Sequence, residues 1–338
     1  MRSFRLVSLS VSGISVGLRP VNLRTDLAPL ADLIELAFAE SMDSSGRAAI
    51  REMRTLSRVA PGLGALLGVN EVAQGIGLGF VWIEEGKLVG NTSVYPAHLP
   101  RTYGSSWIIA NVAVHPGYRG RGIARELMRA SLEMIQRRGS MVTALLQVEE
   151  ANHVARHLYE SLGFVSQRTF TLWRRNSSAR IPSPQNANYI THRRPDEWKV
   201  EFDLANRIRP NMRGGIGWLR PTSQNLFRPS FFKLIGDMIN LRSLERLIIR
   251  SEHDDQLKAS LWIESGFASN ATQLTLLVDP DDAGVYDDAL VNLAARRFGL
   301  RSALTIEHPA DDLLTNAVLQ KYAFTRQRSL NHMIWTPS

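Results

Sequence analysis

The sequence predicts an α/β protein built as two domains in tandem, and three observations carry this. The 338 residues, 37.8 kDa, exceed a usual single domain. Residues 17–175 alternate short β-patterned runs with stretches of helical spacing. A polar stretch with two prolines, 176–188, then leads into a second half whose pattern echoes the first. The expected organisation is a first domain over 1–175, a linker over 176–188 and a second domain over 189–338.

The elements of the first domain follow in order. Residues 18–23 form a short strand, and 26–38 and 47–56 carry apolar residues at helical spacing. Residues 61–78 are a glycine-rich apolar connection. The runs 79–83 and 87–95 are a strand pair turned at Glu84-Glu85-Gly86. A strongly apolar strand spans 106–114, and 121–138 is a helix with Leu, Met and Ile on one face. Then come a strand at 141–148, a helix at 152–162 and a last strand at 164–173. In the second half, 209–230 is rich in Gly, Arg, Pro and Asn and reads as a long loop.

Composition narrows the function classes. With 44% hydrophobic and 21% charged residues the chain is a globular one, not a disordered one. No apolar run is long enough to cross a bilayer. The absence of cysteine excludes disulfides, thiolate metal sites, iron–sulfur clusters and a cysteine nucleophile. Residues 1–18 hold Arg2 and Arg5, but serines and a glycine interrupt their apolar run, so they read as an extension rather than a signal peptide. The expected setting is cytoplasmic. The net charge is +8, most of it in residues 1–175, where 20 basic residues face 14 acidic ones. A basic surface attracts phosphates.

Residues 111–124 read Asn-Val-Ala-Val-His-Pro-Gly-Tyr-Arg-Gly-Arg-Gly-Ile-Ala. An apolar strand runs into a Pro-Gly turn, glycines alternate with arginines, and a long helix begins. The unpaired N–H groups of a helix start, aided by its dipole, form an anion site. Gly120 and Gly122 let a phosphate approach the backbone, and Arg119 and Arg121 add charge. The pattern suits a pyrophosphate, yet it is neither the dinucleotide fingerprint nor a Walker loop. A solvated glycine turn has the same pattern, so this segment alone leaves both readings open.

A second segment, 146–164, places Asn152, Ala155 and Tyr159 at i, i+3 and i+7 on one helix face. Leu158, Leu162 and Phe164 suit a core, and Gly163 suits a left-handed helix end. Taken together, the two segments resemble the GNAT superfamily of acyl-CoA-dependent N-acyltransferases. The family's Arg/Gln-x-x-Gly-x-Gly/Ala signature is met by Arg119, Gly122 and Ala124. Its Asn-x-x-Ala-x-x-Leu-Tyr-x-x-x-Gly-Phe pattern is met from Asn152 to Phe164. The resemblance covers about residues 17–175.

The resemblance implies a mostly antiparallel twisted sheet flanked by helices and an acetyl-CoA co-substrate. The pyrophosphate would rest on the backbone of Arg119, Gly120, Arg121, Gly122, Ile123 and Ala124. The pantetheine arm would pair with Val112, Ala113 and Val114, with Asn152 bonding it and Ala155 letting it pass. Tyr159 would be the general acid for the leaving thiolate, which suits a phenol of pKa about 10. The acceptor, a small-molecule or peptide amine, would attack the thioester directly, with no metal. Many family members carry a carboxylate on the 106–114 strand as base. The corresponding position here is Ile108, and that strand has no Asp, Glu or His. A water relay, a backbone carbonyl, a base elsewhere, or an amine of low pKa that arrives neutral must serve. A non-catalytic acyl-CoA-binding module is the alternative.

The second half repeats the first in weakened form. Residues 272–280 echo the strand that ends Val114-His115-Pro116, and 312–324 match 152–164 in length. The strand pair 247–250 and 256–263 suits the repeat. Asp281, Asp282, Asp287 and Asp288 surround the second helix start and would repel a pyrophosphate. Asp312, Leu319 and Ala323 stand where Asn152, Tyr159 and Gly163 stand in the first half. This half resembles a degenerate GNAT-like domain, in a tandem layout similar to that of the mycothiol synthase type. His153 and His157 are spaced to bind a metal but lack a third ligand. Only 5 of the 40 basic residues are lysine, so the arginine-rich stretches read as composition rather than as a nucleic-acid site.

Overall fold

Two periodicities, 2 and 3.6, lay down the elements. In the computed structural model, the described residues are 17–39, 42, 44–59, 78–187, 189–229, 242–251, 256–266 and 271–337. The segment before residue 17, and the expected connection over 61–78 up to its last residue, lie outside them. The described elements of the first repeat are β1 (Gly17–Pro20), α1 (Leu27–Ala37), α2 (Ser44–Val59), β2 (Gly79–Glu84), β3 (Lys87–Ala97), β4 (Ser105–Val114), α3 (Ile123–Gln136), β5 (Val142–Glu149), α4 (His153–Ser161) and β6 (Val165–Arg175). Those of the second are β7 (Thr191–His192), α5 (Trp198–Ile208), α6 (Gln224–Phe227), β8 (Arg242–Arg250), β9 (Leu257–Gly266), β10 (Ala271–Val278), α7 (Tyr286–Arg297), β11 (Ala303–Pro309), α8 (Leu313–Lys321) and β12 (Thr325–Trp335). The order is the same in both, so the chain is a mixed α/β fold repeated in tandem. Residues 176–187 hold no helix or strand. The expected loop over 209–230 contains α6 and a bridge between Gly217 and Arg220.

Contacts divide the chain into two units. The first comprises Met1–Leu146, His157–Val165 and Ile334–Ser338, the second Gln147–Arg156 and Ser166–Met333. The division does not fall at residue 175, because β6 ladders onto β11, from Phe170↔Pro309 to Arg175↔Leu304. The Glu150 N–H likewise donates to Ser329 O of β12. Arg175 is fully buried and fixes the chain that follows, donating to the carbonyls of Tyr322 and Arg180.

In the first unit β1 to β5 lie in sequence order, antiparallel except for the parallel β4·β5 pair. Val81 and Ile83 on one face of β2 are covered by Leu30 and Ile34 of α1 and by Ile50 and Met53 of α2. Ile123 and Leu127 of α3 pack with Val89, and Trp82 and Val114 close that cluster. Gly90 is required here, since a Cβ would stand 2.8 Å from Ile123 Cγ2. The β4·β5 pairing ends at Ile108↔Leu145, short of the C-terminal end of β4.

In the second unit the strands run β12-β6-β11-β10-β9-β8-β7. Their core joins Leu261 and Leu276 of β9 and β10 to Leu290 of α7 and Leu319 of α8. The parallel β10·β11 pairing ends at Leu274↔Ile306, again before the strand ends.

Candidate active site

Where β4 leaves its partner it runs into a tight turn. Ala113 of β4 is buried, and Val112 and Val114 are partly so. The turn is set locally: His115 Nδ1 accepts from the Gly117 N–H (3.2 Å), and the Arg119 N–H donates to Pro116 O (3.3 Å). The Arg119 amide is thus committed to the turn, and its Nε donates to Val114 O (3.2 Å). Arg121 reaches away to Glu84 (2.8 Å) and lies over the Tyr118 ring.

From Gly120 onward the backbone changes character. Gly120 and Gly122 take φ of +78° and +79°, and no atom stands within 4 Å of where a Cβ would be on either. A left-handed backbone with open space beside it is what a glycine allows and other residues resist. The amides of Gly120 through Arg125 donate to nothing among the described residues, and the next one, Glu126, bonds back to Gly122 O. Six free N–H groups at the start of α3, with the helix dipole behind them, form an anion cradle that suits a pyrophosphate. It is built by backbone, with the two flanking arginine side chains engaged elsewhere.

Helix α4 carries the other expected residues. Asn152 is its N-terminal cap: Oδ1 accepts from the Ala155 N–H (3.1 Å), which leaves the Nδ2 donors for a ligand. Tyr159 is 7% exposed and packs against Phe164, and its phenol makes no hydrogen bond to a described residue. Burial pushes its phenol up to about 12. The first unit holds residues 112–114, the cradle and Tyr159, while Asn152 and Ala155 fall in the second unit. Gly163, at φ +90°, ends α4, with the Phe164 N–H returning to Tyr159 O (3.1 Å).

The second repeat has the same turn with its cradle filled. The Ala283 N–H donates to Pro280 O (3.4 Å), as Arg119 does to Pro116. Asp279 caps Asp281 as His115 caps Gly117. Asp287, fully buried, then folds its carboxylate back: Oδ1 accepts from the N–H groups of Gly284 (2.7 Å) and Asp288 (2.9 Å). Burial pushes this carboxyl above its ordinary value. The opening between β10 and β11 is filled too. The buried Arg209 donates through Nη2 to Leu276 O (3.3 Å) and to His308 Nδ1 (3.2 Å). His308 Nε2–H in turn donates to Asp312 Oδ2 (2.8 Å). Sequence reasoning found the acidic turn but missed Arg209, whose role depends on a contact 67 residues away.

Residues 66–164 match the profile of the acetyltransferase (GNAT) family. This segment belongs to the GNAT family. Over 54 residues the chain is 39% identical to the [ribosomal protein bS18]-alanine N-acetyltransferase of Haemophilus ducreyi. Over 56 residues it is 43% identical to N-alpha-acetyltransferase 30 of Schizosaccharomyces pombe. The matched stretches cover 16% and 17% of this chain and 37% of each relative. A GCN5-related N-acetyltransferase from Sphaerobacter thermophilus shares the fold across 94% of this chain and 95% of its own, with a TM-score of 0.58 at 15% identity. The GNAT fold therefore extends over both repeats. Among the described residues no group of His, Asp and Glu could hold a metal, and no helix is long and apolar enough to cross a membrane.

Proposed function

We propose that the first GNAT repeat is an acetyl-CoA-dependent N-acetyltransferase that works by direct attack of an amine. The observation that carries this is the open row of amides from Gly120 to Arg125, ahead of a helix and beside the free end of β4. Both curated relatives are named as N-acetyltransferases, which supports the same reaction type. The co-substrate supplies an acyl carbon open to attack and a thiol as leaving group. The chain's part is to hold and orient. The Gly120–Arg125 amides and the α3 dipole anchor the pyrophosphate. Beyond its pairing with β5, the β4 edge around Val112 offers backbone groups to an extended arm, with Val114 O already bonded to Arg119 Nε. As the amine nitrogen bonds the acyl carbon and the carbon–sulfur bond breaks, Tyr159 holds a proton for the sulfur, and the amine proton leaves to solvent. A phenol at about 12 remains protonated at neutral pH, so the donor form is the one present.

Calorimetric titration with acetyl-CoA tests the reading, followed by thiol release with a panel of amines. One site per chain and transfer to at least one amine are expected. No binding would sink the proposal. Binding without transfer to any amine would put a non-catalytic acyl-CoA-binding role in its place.

A further inference from the structure

β4 contains one residue too many. Ser93 faces Ala110 and Asn91 faces Ala113, so three steps on β4 match two on β3. Inside this bulge Asn111 takes φ +52°, a conformation asparagine tolerates better than most residues. Its Nδ2 donates to Ser93 Oγ and to Tyr95 Oη, both at 3.3 Å. From the other side Asn91 Nδ2 donates to Asn111 O (2.9 Å) and Ser93 Oγ (3.4 Å). The four side chains form a ring of uncharged polar groups. Asn91 pairs with Val81, so the ring lies on the sheet face covered by α1 and α2. Asn91 and Ser93 are buried and act as its base; Tyr95 and Asn111 keep part of their surface. Buried amides and hydroxyls in a sheet cost stability that Val or Ile at the same positions would not.

The ring has hydrogen-bonding capacity to spare. Asn91 Oδ1 is buried and accepts nothing. The Ser93 and Tyr95 oxygens accept from Asn111, which leaves their protons to give. No charged side chain among the described residues is hydrogen-bonded to it. The cross-strand neighbour of Tyr95 is Ile108. The carboxylates of α1, Asp32 and Glu35, are bound to Arg54, and Asp26 is bound to Arg19.

We propose that Tyr95 and Asn111 seat the acceptor amine in its uncharged form, so that the protein selects amines of low basicity over strongly basic ones. This rests on the transferase reading above. An ammonium group in a half-buried site with no opposing anion among the described residues loses hydration and gains no ion pair there. An α-amino group, with a pKa of about 8, is about a quarter neutral at about pH 7.5, whereas a lysine-type amine at about 10.4 is only about 0.1% neutral. Asn111 Oδ1 and Tyr95 Oη can each accept an amine N–H, which turns the nitrogen lone pair outward. Both are positioning residues.

The test compares alaninamide with Nα-acetyl-lysinamide as acceptors at about pH 7.5, by thiol release from acetyl-CoA. A preference for alaninamide of about tenfold or more in kcat/KM is expected. Asn111→Gly keeps the backbone conformation and removes the amide; Tyr95→Phe removes the hydroxyl. Each should raise KM for alaninamide about tenfold, with acetyl-CoA affinity and Tm unchanged. Saturation-transfer NMR of alaninamide on the CoA-bound protein should weaken in parallel, without turnover. A preference for Nα-acetyl-lysinamide, or an unchanged KM in both variants, overturns the inference and leaves the transferase reading standing. Failure of the unaltered protein to bind acetyl-CoA overturns both, and failure to acetylate either amine overturns the inference.

Discussion

The turn at residues 115–126 and the turn at 279–289 share one backbone design and differ in what fills it. Both start from a strand, close a Pro turn with the same carbonyl acceptor, and feed a helix. In the first, two left-handed glycines hold the amides open to solvent. In the second, Gly284 keeps the left-handed position, but Tyr286 replaces the second glycine and Asp287 turns its own carboxylate onto the amides. The same helix-start chemistry that suits a ligand anion is satisfied internally. The cleft behind it follows the same logic: Arg209 bonds Leu276 O, the counterpart of Val112, where the first repeat leaves its strand edge unpaired. An open cradle carries a stability cost that a ligand can repay, and a filled one belongs to a scaffold.

The largest expected effect comes from closing the open cradle. Gly122→Glu forces a side chain into a left-handed backbone and adds an anion, and should weaken acetyl-CoA binding by about 100-fold or more in calorimetry. Unchanged affinity would break the comparison. Tyr159→Phe should lower kcat by about 100-fold while leaving acetyl-CoA affinity intact, because it removes a proton donor and no binding group. An unaltered rate would remove Tyr159 from the chemistry.

The filled side makes its own predictions. Arg209→Ala leaves His308 Nδ1 and Leu276 O without a partner and should cost about 3 kcal/mol or more in chemical denaturation. CoA stoichiometry should remain one, since Asp287 still occupies the turn; a second equivalent would refute the claim that the second cleft is sealed. Acid should loosen the same cluster. Burial and Arg209 push His308 down to about 4, from 6.5, so it is neutral when folded. Its contribution is present above about pH 6.5 and is lost as pH falls toward about 4, an effect of about 3 kcal/mol. Asp312, held well below the usual carboxylate range by its hydrogen bond to His308, extends the loss to lower pH. His308→Gln should flatten the upper part of that dependence, and an equally steep profile would place its origin elsewhere.

The smallest effect concerns the two helix ends. Gly163 and Ala323 both take left-handed φ, +90° and +62°, and the Phe324 N–H returns to Leu319 O as Phe164 does to Tyr159 O. Ala323→Gly should therefore stabilise by up to about 1 kcal/mol, and Gly163→Ala should destabilise by a similar amount. Equal Tm values for parent and variants would show that the alanine bears no strain.

Much of the fold was legible because it depends on local pattern. Helical spacing marked α3 and α4, and apolar runs bounded by turn residues marked β2 to β4. The start of α3 fell two residues later than its apolar pattern, because Gly122 is left-handed. The anion cradle was legible for the same local reason, as its glycines and helix start are contiguous. The Asn111 ring was only half legible. Asn91, Ser93 and Tyr95 alternate as one face of a strand, but their link to Asn111 depends on a bulge that has no mark in the apolar run 105–114.

The sequence by itself determined the repeat, the glycine turn and the N-cap and tyrosine of α4, because each is a matter of residue type at fixed local spacing. Only the tertiary structure decided which amides stay free and which are filled. It committed Arg119 and Arg121 to the protein itself, ran Arg209 between β10 and β11, and laddered β6 onto β11. The physical reason is that a hydrogen bond is satisfied by whichever group arrives, and arrival over tens of residues is set by packing, not by local sequence.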